Sequence, residues 1–174
     1  EGPKLLHELL SNSSSDINYS FVSGPDKEEF NAIVKPLLGQ KNLYIFASKS
    51  LSTDETLSCL KWLGKNRTTK NSFVITANSE GARALGFSEA SIIPFPESVG
   101  GRYSIWSPIS LTAAIENNFM TFLQGGGLTD RLLSGSSADA KKYQKLIKTL
   151  AFSDIWSSNF CNKKNRVVLT YNWR

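Results

Sequence analysis

The sequence predicts an α/β fold, a three-layer α-β-α sandwich in which a mostly parallel sheet is covered by helices on both faces. Three observations carry this. Short apolar runs alternate with stretches of helical periodicity across short links, the pattern of repeated βαβ units. Residues 43–47 are apolar almost without a break, as expected of a strand covered on both sides. Residues 91–95, the pair Gly100 and Gly101, and the apolar stretch 105–115 read as strand, tight turn and helix.

Residues 2–10 form the first predicted helix. Pro3 suits its opening turn, and Leu5, Leu6, Leu9 and Leu10 make its apolar stripe. A polar break over 11–16 leads to a strand over 17–22. Gly24, Pro25 and Asp26 turn the chain and cap a second helix, whose Phe30, Ile33, Val34 and Leu37 face inward. The strand at 43–47 is followed by a helix from about 53 to 64 and a strand over 72–77. Ser79 caps a short helix that Gly86 ends. A strand over 91–95 precedes a long helix from Tyr103 to Asn117. Residues 119–133 are helical but interrupted by Gly125, Gly126 and Gly127, and Gly135, Ser136 and Ser137 break the chain again. A long helix from 138 to about 160 carries Tyr143, Leu146, Ile147, Leu150, Ile155 and Trp156 at helical spacing. Residues 166–171 read as a last strand, belonging to a second sheet.

A chain of 174 residues suits one domain with a core that needs no staples. Its net charge of +5 is mildly basic and favours anionic ligands. No Lys/Arg cluster is interleaved with aromatics, so a nucleic-acid partner is not expected. Lys163, Lys164 and Arg166 form the densest basic run and read as a solvated loop. No apolar run is long enough to span a membrane, and no membrane partner is expected. Cys59 and Cys161 are too few for a disulfide framework; both read as reduced thiols in a cytoplasmic protein. No Cys/His cluster suggests a metal, and no cofactor is expected. The chain begins at Glu1, not at a methionine, so a preceding segment is expected.

Two loops are candidates for chemistry. Gly100 and Gly101 let the backbone turn with φ above zero and let a ligand come close, and the amides of the following helix are left open at its positive end. Arg102 adds a planar fork of donors, so the turn suits an anion or a developing oxyanion. The same spacing fits an ordinary strand-to-helix loop with a solvated arginine. At the second loop Ser48, Lys49, Ser50, Ser52 and Thr53 crowd a helix N-terminus, where hydroxyls, a cation and free amides make a phosphate cradle. A plain N-cap with solvated serines fits that pattern as well, and Asp54 and Glu55 are ordinary first-turn residues. Parallel α/β sheets bind ligands beyond the carboxyl ends of their strands, and both loops lie at that edge.

Residues 99–107, Val-Gly-Gly-Arg-Tyr-Ser-Ile-Trp-Ser, closely resemble the V-G-G-R-Y-S-L-W-S signature of glucose-6-phosphate isomerases. Residues 47–56, Ala-Ser-Lys-Ser-Leu-Ser-Thr-Asp-Glu-Thr, are similar to the A-S-K-T-F-T-T-x-E-T segment of that family. Ser50 keeps the hydroxyl of the usual threonine, and Leu51 replaces phenylalanine, a change in packing. Gly2, Pro3 and Lys4 resemble the end of a third motif, G-I-G-G-S-x-L-G-P-K, with Glu1 where leucine is usual. The resemblance implies a sugar-isomerase (SIS), flavodoxin-like fold. Residues 1–118 would be an SIS domain truncated at its N-terminal side, and residues 119–174 a helical segment leading into a second, incomplete SIS domain. It also implies that Ser48, Ser50 and Thr53 bind the sugar phosphate with Lys49 close by, that Gly100 and Gly101 offer backbone to the substrate, and that Arg102 stabilises an enediol.

The family interconverts glucose 6-phosphate and fructose 6-phosphate without a metal. A glutamate moves a proton between C1 and C2, and a histidine helps open the ring. That glutamate lies in an E-S-N-G-K motif, which this chain does not contain. The sole histidine, His7, reads as a packing or surface residue, and Glu55, Glu80 and Glu97 as solvent-facing. Trp62, Trp106 and Trp156 read as core. The resemblance therefore implies part of a homodimeric enzyme of glycolysis and gluconeogenesis that takes a hexose 6-phosphate, inactive as this stretch alone. The alternative is a non-catalytic SIS module that binds a sugar phosphate and regulates a partner.

Overall fold

The computed structural model describes residues 2–10, 16–110, 119–165 and 167. The chain divides into two compact units, Glu1–Asn117 and Asn118–Arg174. The first contains helices α1 (Gly2–Leu10), α2 (Lys27–Val34), α3 (Asp54–Leu63) and α4 (Ser79–Ala84), and strands β1 (Tyr44–Ala47), β2 (Ser72–Thr76) and β3 (Ile92–Pro94). The second contains α5 (Phe119–Ser134) and α6 (Ala138–Asn159).

The three strands form one parallel sheet in the order β1-β2-β3, flanked by helices as the sequence predicts. Phe46 pairs with Val74, and Val74 with Ile92. Successive side chains of a strand point to opposite faces, and Val74 and Ile75 are both fully buried. β2 is therefore covered on both sides; each of these two side chains contributes about 1.5–3 kcal/mol by leaving water. β1 is covered less completely than residues 43–47 lead one to expect: Tyr44, Ile45 and Phe46 are half-buried, and Leu43 beside the strand is 54% exposed. One cluster joins Leu51, Leu60, Val74, Ala82 and Phe87, and a second joins Phe30, Val34 and Leu63.

Local chemistry explains the helix ends. Asp26 accepts from the amides of Glu28 and Glu29 at 2.7 and 3.2 Å and starts α2. α4 is capped by Asn78, one residue before the expected Ser79; its side chain accepts from the Gly81 amide. Gly64 ends α3 at φ +50° and Gly86 follows α4 at φ +81°, the left-handed region that favours glycine.

Further expectations fail in both units. Residues 17–22 join no strand; the rings of Tyr19 and Phe21 instead pack on His7, with centroids 4.3 and 5.6 Å away. The long helix from Tyr103 is replaced over 101–110 by two 3-10 segments, Gly101–Trp106 and Pro108–Ser110. Ser107, preceding a proline, sits extended at φ −100°, ψ 176°, and Pro108 has no N–H to continue the ladder. The Ser104 and Ser107 hydroxyls also donate back to the carbonyls of Gly101 and Ser104. Residues 111–117 of that expected helix lie outside the described residues. Gly100 has φ −71° and Gly101 is not at positive φ, so neither glycine supplies the left-handed turn expected of it.

In the second unit α5 runs unbroken through Gly125, Gly126 and Gly127, although each interior glycine costs about 1 kcal/mol against alanine. α5 packs on α6. Ser137 caps α6 by accepting from the Ala140 amide at 3.1 Å. The expected strand over 166–171 lies, Val167 apart, outside the described residues.

Candidate functional site

The carboxyl ends of parallel strands point the same way, so the loops after Ala47, Thr76 and Pro94 gather at one edge of the sheet. The first runs from β1 into α3. Ser48 is 7% exposed, and its hydroxyl accepts from the Leu51 amide at 3.2 Å and lies 3.4 Å from the Thr53 hydroxyl. Leu51 stands at φ +50°, uncommon for a branched side chain, while burying that side chain in the core. Ser50 and Ser52 are exposed, their hydroxyls 2.7 Å apart.

Thr53 occupies the N-cap of α3 without making a side-chain capping bond; its hydroxyl turns to Thr56, 2.9 Å away. The amides of Asp54, Glu55 and Thr56 have no intrahelical acceptor and remain open at the positive end of a ten-residue helix. The hydroxyls of Ser48 and Thr53 thus meet at this helix start, while that of Ser50 pairs with Ser52 on the exposed side of the same loop.

Lys49 does more than stand close by. Its ammonium donates to the carbonyls of Glu97 and Val99, tying the first loop to the segment that carries the second motif. An ammonium has three donors, so one is left for a ligand. Arg102 is exposed at the start of the 3-10 segment that follows, with no hydrogen bond to the hydroxyl loop. Nothing lies within 4 Å of where a Gly101 side chain would begin, so the approach there is open. Tyr103 is 73% exposed.

Thr76 and Asn78 help build this edge and were missed in the sequence. Thr76 Oγ1 and the Ala77 amide both donate to the Lys49 carbonyl at 3.0 Å, and Asn78 Nδ2 donates to the Ser50 carbonyl at 3.0 Å. Their signal was present: a polar pair at the carboxyl end of the neighbouring strand. His7 lies in α1, which packs on the 3-10 segments. Of the tryptophans expected in the core, Trp62 is half-buried and meets Phe30 edge-on, with centroids 5.3 Å apart, but Trp106 and Trp156 are 47% and 50% exposed. No group of three or more His, Cys, Asp or Glu side chains that could hold a metal occurs among the described residues.

The chain matches the phosphoglucose isomerase family along residues 1–174. It belongs to that family. Among curated relatives it is 28% identical to glucose-6-phosphate isomerase 1 of Colwellia psychrerythraea over 98% of this chain and 33% of the relative. It is 30% identical to the glucose-6-phosphate isomerase of Buchnera aphidicola subsp. Schizaphis graminum over 98% of this chain and 32% of that one. With the Zymomonas mobilis enzyme of the same name it shares 34% over 75% of this chain and 28% of the relative. The chain thus spans about a third of the length of these phosphoglucose isomerase relatives. A solved Thermus thermophilus structure, described as a hypothetical protein, superposes with a TM-score of 0.66 at 24% identity. That match covers 80% of this chain and 36% of the other and bears on the fold alone. No helix among the described residues is long and apolar enough to cross a membrane.

Proposed function

We propose that this chain is part of a glucose-6-phosphate isomerase, a cytoplasmic homodimer that interconverts glucose 6-phosphate and fructose 6-phosphate. In this reading Ser48, Ser50, Thr53 and Lys49 bind the substrate phosphate, and the backbone at Gly100 and Gly101 lies against the sugar. The proton leaves C2 of the aldose and returns at C1 through a cis-enediol. Arg102, as a fixed cation, stabilises the negative charge that develops on the enediol oxygen. No metal is required.

The observation that carries the reading is the uncapped start of α3, where Thr53 makes no side-chain capping bond and its hydroxyl meets that of Thr56, leaving the first amides of the helix without a protein acceptor. Asp54 and Glu55 bring negative charge to the same turn, so Lys49 is needed for a dianionic phosphate. The proton-transferring glutamate has no matching motif within these 174 residues, so the stretch binds but does not turn over.

The test is thermal unfolding of the 174-residue chain with fructose 6-phosphate and with fructose. At about ten times its Kd the phosphate ester contributes about 1.4 kcal/mol, a shift of several degrees, and fructose none. Equal responses to both sugars would remove the phosphate reading. Interconversion of the two hexose phosphates by this chain would overturn the account of the base.

A further inference from the structure

We infer that Asn78 is a positioning residue for the phosphate loop, holding the peptide plane between Ser50 and Leu51 in the orientation that presents Ser50 to the ligand. The inference rests on the reading of residues 48–53 as the phosphate site.

That peptide is fixed at both of its polar ends. Its carbonyl, on Ser50, accepts from Asn78 Nδ2 at 3.0 Å. Its N–H, on Leu51, donates to the buried Ser48 hydroxyl at 3.2 Å. The next residue must hold φ at +50°, a conformation a leucine does not keep unaided. One plane gripped by two partners cannot rotate, and the Ser50 hydroxyl that extends from it, accepting from the Ser52 amide, is fixed with it.

Asn78, though exposed, is itself held by two further hydrogen bonds. Its Oδ1 accepts from the Gly81 amide at 2.8 Å, and its backbone N–H donates to Thr76 Oγ1 at 3.0 Å. The side-chain amide lies flat on the first turn of α4: a Cβ added at Gly81 would stand 2.6 Å from Asn78 Nδ2 and 2.9 Å from its Cγ. Gly81 therefore leaves the space that Asn78 uses. A purely local cap needs only the oxygen; the nitrogen, 28 residues away from its acceptor in sequence, serves the loop.

Two variants separate these roles. Asn78→Ser keeps a good N-cap for α4 but has no reach to Ser50. Gly81→Ala leaves Asn78 in the sequence and supplies a better helix former, but pushes the amide off its seat. Calorimetric titration of the 174-residue chain with fructose 6-phosphate is the readout, beside the thermal midpoint without ligand. Each variant is expected to weaken binding by about three- to tenfold, the worth of one hydrogen bond, and N78S to shift the midpoint by no more than about 2 °C. Unchanged affinity in either variant, with the parent chain binding, overturns the positioning role and leaves the phosphate reading standing. A loss that only tracks the fall in folded fraction overturns it as well. Absence of binding by the parent chain removes both.

Discussion

At the scale of single residues, Cys59 shows how burial decides chemistry. Both cysteines are free thiols: Cys161 is exposed, and Cys59 is half-buried on α3. Burial first, and then the Glu29 carboxylate, pushes the Cys59 thiol above its ordinary pKa. The folded state therefore prefers the neutral thiol. Its contribution to stability is present below the ordinary thiol pKa and is lost as pH rises through the raised one. Iodoacetamide at pH 8 is expected to modify Cys161 well before Cys59, as mass spectrometry of timed samples would show. Cys59→Ala is expected to flatten the loss of stability above about pH 8.5; an unchanged alkaline slope would show that another group governs it. The ion pair of Arg83 and Glu89 carries less weight. It is bidentate at 2.8 and 3.0 Å, but both side chains are mostly exposed, and solvent screens such pairs to little net value.

At the scale of elements, the turn between α5 and α6 is the most tightly specified connection in the second unit. Gln144 Nε2, on α6, lies 3.2, 3.1 and 2.8 Å from the carbonyls of Leu132, Leu133 and Gly135 and shares its two N–H donors among them. The carbonyls of Leu132 and Leu133 are among those a helix end leaves without partners. Gly135 has no alternative: a Cβ there would lie 2.4 Å from the Arg131 carbonyl oxygen, to which its own amide donates. Gln144→Ala is expected to destabilise this helical pair by about 1–3 kcal/mol, because it strands carbonyls in a part-buried turn. Hydrogen exchange read at the amides of α5 and α6 would detect it as faster opening. Protection equal to the parent's would mean that water satisfies those carbonyls at no cost.

At the scale of the whole molecule, the two units differ in how much they bury. Among the described residues, every buried hydrophobic one but Ala140 lies in the first unit. On α6 and at its C-cap, Leu146, Leu150, Phe152, Ile155, Trp156 and Phe160 are all 44% exposed or more. A helix pair with so little apolar burial opens at a small fraction of the free energy that unfolds a sheet with its core. Limited proteolysis is therefore expected to cut within residues 138–160 long before it cuts between 44 and 95. Equal cutting rates in the two regions would show that the second unit has a core of its own.

The sequence by itself determined the local events. Asp26 capping α2, Gly64 and Gly86 ending α3 and α4, and the three apolar runs that became β1, β2 and β3 all depend on chemistry within a few residues. The two motif loops were legible for the same reason: a hydroxyl-rich start to α3 and a Gly-Gly-Arg turn are contiguous in the chain. Tertiary structure decided what depends on partners distant in sequence. Residues 43–47 and 72–77 are both apolar runs, and only the packing around the sheet buries β2 more fully than β1. Residues 17–22 have the composition of a strand, but the rings of Tyr19 and Phe21 are taken up by His7. Lys49 reads as a phosphate cation, yet two of its three donors are held by carbonyls 48 and 50 residues further on. Asn78 goes unread in the chain, where Ser79 reads as the cap, because its distant partner, Ser50, comes within reach only when β1 and β2 lie side by side. Hydrogen bonds that cross between neighbouring strands leave no periodicity in the chain, so the folded sheet alone revealed them.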